Sequence, residues 1–424
     1  MASSQRNDIA FYSRYCMGRF ILPAFTGEHH GQILEILREA AGRCTDKPVL
    51  FYVSDAELAF VWHFRRELEP IFRFLLPPER ILEGLFNKVL FSRIAEEKGL
   101  PVPRTMTVTG GSVLNPRFAW NSFPCIVKPA FSQDWVWDTE EQWERYGPYK
   151  KALRRIDSRE ELLEFCHGLP SRAAGFVIQS YIDGGDDAIQ SFHGYFNERS
   201  QCLGYFVGRK IRTYPPHTGG SAYIRTVQND SLAQLSLGLL QLIGFRGIVK
   251  IDYKWDAQEG NYKILEINTR YNLWQLLGSH AGVNLAAIAY HHQVDTHLLP
   301  RMQYKPDVRL LYMKQDLRAF VAGYRKLGEW TTLSYVKSLF WRTTYRVFDP
   351  RDPIPFLHSI AGFLKRIMLR YIFGWFRPLS GSTARPSSLR TDAVPAQRRL
   401  HLPVPAEPLV QQNAKTLRGR FQEP

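Results

Sequence analysis

Apolar positions along the chain alternate between two spacings, one helical and one extended. GQILEILREAAGR places Ile33, Leu34, Leu37 and Ala40 at helical spacing. PVLFYVSD is a continuous apolar run, read as a buried strand. It ends in Ser54-Asp55, cap residues for the helix-like AELAFVWHF that follows. NKVLFSRIAEEKG predicts a helix stopped by Gly99, and LPVPRT leads away in extended form. FPCIVKPA is a short apolar strand ending in Lys128-Pro129, and a polar stretch with Trp135, Trp137 and Trp143 comes next. SREELLEFCHG is a capped helix. GFVIQSYIDGGDDAIQSFHGYF is a strand, a glycine turn and a second strand.

Two further strand-like pieces in CLGYFVGRKIRTYPPHTGGSAYIRTV flank a loop of Pro215, Pro216, Gly219 and Gly220. The helix DSLAQLSLGLLQLIGFRG has Asp230 and Ser231 as cap candidates and a stop at Gly244. IVKIDYKWDAQEGNYKILEIN is a hairpin around DAQEGN, and NLAAIAYHHQV is another helix. Beyond Pro300 the pattern turns to aromatic, basic helices. Residues 377–424, rich in Pro, Ser and Arg, read as disordered.

The 424 residues allow two or three domains, and 45% apolar with 13% aromatic content describes a globular chain. The net charge of +15 is spread along the chain. It suits anionic substrates or an anionic membrane surface, and no basic run interleaved with aromatics marks a nucleic-acid module. The five cysteines form no CxxC pair, so neither a disulfide framework nor a zinc signature is present, which agrees with a reducing, cytoplasmic setting. The start, MASSQRNDIAF, lacks the apolar core of a signal peptide. No GxSxG, HExxH or GxxxxGK[ST] element occurs. His291, His292 and His297, with no acids at ligand spacing, read as surface or core histidines, and His29-His30 reads as a loop pair. Cys125 reads as core packing.

The hairpin carries the chemistry. In KILEINTRYN, strand alternation puts Glu266, Asn268 and Arg270 on one face. Asp252, fourteen residues before Glu266, falls where the hairpin makes the two acids cross-strand neighbours. Two carboxylates and an amide oxygen are hard ligands suited to Mg²⁺. A solvent-facing charged hairpin would look the same.

Five separated segments, NKVLFSRIAEEKGLPVPRT, FPCIVKPA, YIDGGDDAIQSF, GRKIRTYPP and LEINTRYN…AGVNL, together resemble the ATP-grasp superfamily in order and spacing. Within it the similarity is to carboxylate–amine ligases of the D-aspartate ligase type, over residues 10 to 350 or so. The resemblance implies two α+β lobes with ATP between them, after a truncated Rossmann-like α/β domain. It implies that Lys88 and Lys128 hold ATP phosphates, that Gln179, Tyr181 and Ile182 line an adenine hinge, and that Asp186 binds ribose. It implies Asp252, Glu266 and Asn268 as ligands of Mg²⁺, with Mn²⁺ able to take the same place. Arg270 would contact the transferred phosphoryl group or the substrate carboxylate. Arg209, Lys210 and Arg212, a cofactor-side lysine between two arginines, would border the acyl-phosphate site, and the loop from Arg209 to Ser221 would close over it.

Three departures from the pattern stand out. Ser180 replaces a hinge glutamate, Lys250 replaces an acid, and few residues precede Ser13 where a strand and a glycine-rich turn are usual. The expected domains are 1–84, the ATP-grasp module 85–298, a helical basic extension 299–376 and the tail. The expected function is an ATP- and Mg²⁺-dependent, ADP-forming ligase joining a small carboxylate to an amine, with cell-wall or amino-acid precursors as the substrate class. The alternative is an inactive nucleotide-binding or membrane-associated module. For that alternative FLHSIAGFLKRIMLRYIFGWF, residues 356–376, offers a basic amphipathic helix that is too charged to span a bilayer.

Overall fold

The computed structural model describes residues 1–108, 120–131, 155–167, 175–217, 219–296, 300–341, 343–362 and 364. The tryptophan-rich stretch, His297, the tail and most of the amphipathic segment lie outside the described residues. None of the described helices is long and apolar enough to cross a membrane.

The N-terminal region pairs β1 (Ala2–Ser3) with β2 (Phe20–Ile21) in parallel. Helices His30–Gly42, Asp55–His63, Arg65–Leu68 and Glu79–Phe86 then enclose a core of Ile33, Leu37, Tyr52, Phe60, Leu68 and Leu82. The expected cap is present: Ser54 and Glu57 form a capping box. The strand expected at PVLFYVSD is not formed. Among the described residues a single bridge links Val49 to Arg73, leaving Phe51 and Val53 exposed, because no second strand there lies alongside to receive a ladder.

Helix Lys88–Lys98 ends at Gly99 in the left-handed region and leads to the small sheet. This sheet is β3 (Thr105–Val108), β4 (Cys125–Pro129) and β5 (Phe176–Ser180), antiparallel in the order β3-β5-β4. The period-2 pattern sorts its faces. Cys125, Val127 and Ile178 pack on helix Arg159–His167 through Leu162 and Phe165. Lys128 and Val177, paired in register, turn to the other face.

The large sheet contains β6 (Ile189–Phe196), β7 (Cys202–Tyr214), β8 (Gly220–Thr226), β9 (Gly247–Asp256) and β10 (Asn261–Asn268). Its outer-face residues Phe192, Val207, Ile251 and Tyr253 pack on helix Asp230–Leu242. That helix is capped by Asn229, not by Asp230 or Ser231, because the Asn229 carboxamide is the acceptor that reaches the Leu232 amide. On the inner face Phe206, Ile224, Ile248 and Trp274 pack with helices Gln275–Ala281 and Leu285–Gln293.

The segment beyond residue 299 does more than form helices. Its β11 (Arg309–Leu311) and β12 (Thr343–Tyr345) complete a seven-stranded sheet, β10-β9-β6-β7-β8-β11-β12. Helices Met313–Ala319 and Thr332–Leu339 lie beside it. Further on, the chain returns to its start: Ser13 Oγ donates to Asp352 Oδ2 at 2.6 Å, the Arg14 amide donates to Asp352 Oδ1 at 3.1 Å, and Tyr12 stacks on His358 at 3.6 Å.

Candidate active site

The two sheets face each other across a cleft of about 260 Å³. Its walls include Lys88, Lys128 and Gln179 from the small-sheet side, and Leu265, Glu266 and Asn268 from β10. Helix Asp55–His63 closes one end with Asp55, Leu58 and Ala59.

The hairpin arithmetic holds. Glu266 is the register partner of Asp252, and Asn268 that of Lys250. The register shifts between Ile264 and Glu266, so Leu265 is an extra residue, a bulge. Its effect is local: Leu265 O is freed to accept from Lys128 Nζ at 3.4 Å, which joins the small sheet to the hairpin. Asp252 is buried behind the cleft wall. Its carboxylate accepts from Ser191 Oγ and, at 2.7 Å, from Lys250 Nζ. Burial pushes the Asp252 carboxyl upward, but the ammonium groups of Lys250 and Lys210 outweigh it and hold the group below its ordinary value. For Lys210 the balance is reversed: burial lowers its pKa, against the pull of Asp252.

The other expected residues divide. Gln179 donates to Thr105 Oγ1 at 2.9 Å, while its Oε1 is buried with no partner. Tyr181 lies between two cations, Arg155 and Lys254, each 5.2 Å from the ring. Ile182 is buried beside it. Asp186 is buried and accepts from Thr213 Oγ1 at 2.9 Å and from Tyr324. Arg270 pairs with Asp55 and so ties the hairpin to the N-terminal helices.

Arg209 and Arg212 do not meet the cleft residues. Arg212 is fully buried on the far side of the sheet. There it binds Asp316 through two hydrogen bonds of 2.7 and 2.8 Å, donates to Ser338 Oγ at 3.0 Å, and stacks on Trp330 at 4.4 Å. Strand alternation puts Arg209 on the outer face with Val207, while Gly208 meets Trp274 on the inner face. The loop after Tyr214 is held by the C-terminal segment: His217 contacts Glu329 at 2.8 Å, and a side chain at Gly323 would strike Pro216.

Sequence reasoning missed several neighbours. Lys254 is buried on the same row as Lys250 and Asp252, with its charge disfavoured first by burial and supported by Asp186. The period-2 spacing of KIDYK contained that signal. His193 is wholly buried, stacked on Phe206 at 4.5 Å and on Trp274 at 5.0 Å, and neither ring nitrogen has a partner. Burial, then Lys250, keeps it neutral, with a pKa well below the ordinary value.

Three-dimensional comparison decides the fold. N5-carboxyaminoimidazole synthetase from Staphylococcus aureus, complexed with ADP, superposes with a TM-score of 0.54 at 12% identity, over 77% of this chain and 78% of that one. The chain has the ATP-grasp fold. Among curated sequences, this ATP-grasp chain is 26% identical to D-aspartate ligase of Enterococcus faecium over 272 residues, 61% of this chain and 62% of that protein. It is 23% identical to D-alanine–D-alanine ligase of Aquifex aeolicus over 189 residues, 43% and 58% respectively. It therefore spans about three fifths of the length of these curated relatives. No family model matches it.

Proposed function

We propose that this ATP-grasp chain is an ADP-forming ligase that joins a small carboxylate to an amine through an acyl phosphate. The observation that carries the reading is the placement of Glu266 in register with Asp252, with Asn268 on the same face and Lys128 reaching Leu265 from the opposite wall. The names of the two curated relatives, both amino-acid ligases, agree with it.

The donor set fits a divalent cation. Glu266 and Asn268 line the cleft and offer hard oxygens, and Asp252 stands behind them. Magnesium held there would neutralise charge on the β- and γ-phosphates. The chain's own residues do the rest. Lys88 and Lys128 border the cleft where phosphates need positive charge. Lys210 and Lys250 cluster about Asp252, a preorganised field for charge that develops on a transferring phosphoryl group. Gln179 Oε1, a buried acceptor without a partner, suits the exocyclic amine of adenine, which would satisfy it.

The acid's carboxylate attacks the γ-phosphorus and ADP leaves. The amine then attacks the acyl carbon and phosphate leaves. No side-chain nucleophile is required. Arg270 stands at the end of β10, tied to Asp55 at the cleft's edge, and would orient the acid.

The test is ADP release by the purified full chain, with ATP and Mg²⁺, over a panel of D- and L-amino acids paired with carboxylates. ADP formed only with a particular acid–amine pair, and ¹⁸O moving from that acid into phosphate, supports the proposal. AMP as the product rules it out.

A further inference from the structure

The large sheet carries a second charged feature, on the face turned away from the cleft. Arg209 on β7, Arg225 on β8 and Arg309 on β11 are register partners, so three guanidinium groups stand side by side across three strands. Like charges directly opposite in a sheet repel. Compensation is sparse. Asp307 serves both neighbours, accepting from Arg225 Nη1 at 3.1 Å and from Arg309 Nη2 at 2.8 Å. Arg209 approaches the exposed Asp187 only to 3.9 Å, and its Nε is buried with no hydrogen-bond partner. Arg309 is also stacked on Trp341 at 4.2 Å and is committed there.

Arg209 and Arg225 share a hollow of about 350 Å³ with Gln190, Gln228, Asn229 and Asp307. Among the described residues lining it, Asp307 is the one acid. The hollow therefore holds two guanidinium groups against one carboxylate that is already shared with Arg309. An orphaned buried N–H donor costs free energy until an acceptor arrives. The acceptor that matches planar, forked donors is an oxyanion with several oxygens.

We infer that this hollow is an oxyanion-binding site, separate from the ATP cleft, for a small molecule bearing a phosphate or pyrophosphate group. Arg209 and Arg225 contact the anion, and Asp307 sets its affinity by competing for Arg225.

Inorganic pyrophosphate, titrated calorimetrically into the full chain without Mg²⁺, is the probe. Arg225→Gln should weaken binding by roughly tenfold, the usual scale for a charge-assisted contact. Lys128→Ala, in the cleft, should weaken only the pyrophosphate that binds there and leave the Arg225-dependent binding event within about twofold, since distant sites act independently. Asp307 has φ 55°, and asparagine tolerates that left-handed conformation. Asp307→Asn should therefore fold and bind pyrophosphate more tightly, an opposite sign that a merely damaged protein would not give. Vesicles with anionic phospholipid should not compete for the site. Loss of binding in Lys128→Ala with none in Arg225→Gln would overturn the inference. So would unchanged affinity in Asp307→Asn, displacement by the vesicles, or no pyrophosphate binding by the wild type.

Discussion

Lys250 Nζ lies 2.7 Å from Asp252 Oδ2, so one of the three residues expected to ligate a cation already holds a fixed positive charge. The two side chains are two apart on β9 and point the same way. Any divalent cation shared by Asp252 and Glu266 must compete with that ammonium. Lys250→Met should therefore tighten the apparent Mg²⁺ affinity several-fold while turnover falls by roughly a hundredfold, the scale of losing one preorganised charge. Turnover measured against Mg²⁺ concentration separates the two effects. A variant with unchanged Mg²⁺ dependence would show that Lys250 does not compete for the carboxylate.

Glu266→Gln keeps the shape and removes the charge that faces the cleft. ADP formation should fall by about two orders of magnitude or more, and the thermal midpoint should stay within a few degrees. Wild-type turnover would contradict the metal assignment of the hairpin.

Gln179 offers a different measurement. Replacing it by Leu removes the orphan acceptor at the cleft's inner wall and the bond to Thr105. The KM for ATP should rise by about tenfold, and the preference for ATP over GTP should shrink, because the purine edge is no longer read. If selectivity is unchanged, the base is read elsewhere.

Arg212 should behave as a structural residue. Arg212→Met leaves Asp316 buried and unpaired, which costs about 3–5 kcal/mol. The denaturation midpoint should fall steeply, and Asp316→Asn should fall with it. A stable Arg212→Met that has lost only turnover would return this arginine to the reaction.

His193 gives a pH signature. Its pKa is lowered when folded, so below the ordinary value of 6.5 the unfolded chain takes up a proton that the native chain refuses. Stability is then lost as pH falls below 6.5, by up to about 1.4 kcal/mol per pH unit for one group. His193→Phe, which keeps the stack on Phe206 and Trp274, should flatten that part of the pH–stability curve. Curves of equal slope would assign the acid sensitivity to other groups.

Much of this site could be read from residue order, and the failures have physical causes. The pairing of Asp252 with Glu266 followed from hairpin spacing and period-2 alternation, because both are local. The Leu265 bulge did not, since nothing in KILEIN distinguishes an extra residue from a regular one until the partner strand is present. Arg209, Lys210 and Arg212 lie within four residues, and resemblance treated them as a group. Alternation and two register shifts in β7 instead send Lys210 inward and the arginines outward. β11 and β12, three residues each, are too short to show any period. They exist because the edge of β8 receives β11 and the edge of β11 receives β12, a long-range fact. The apolar run before Ser54 failed in the opposite sense: it had strand composition but, among the described residues, no neighbouring strand to pair with beyond the bridge to Arg73.

The contacts of Ser13 and Arg14 with Asp352 also set an order in time. A ribosome adding 5–20 residues per second reaches residue 352 only on the order of tens of seconds after Ser13 has been made. Until then Ser13 and Arg14 have no Asp352 to bind and Tyr12 has no His358 to stack on. These residues are made long before their partners, so a nascent chain stalled before residue 352 should leave Tyr12 and Ser13 open to protease while the helices after them are already folded.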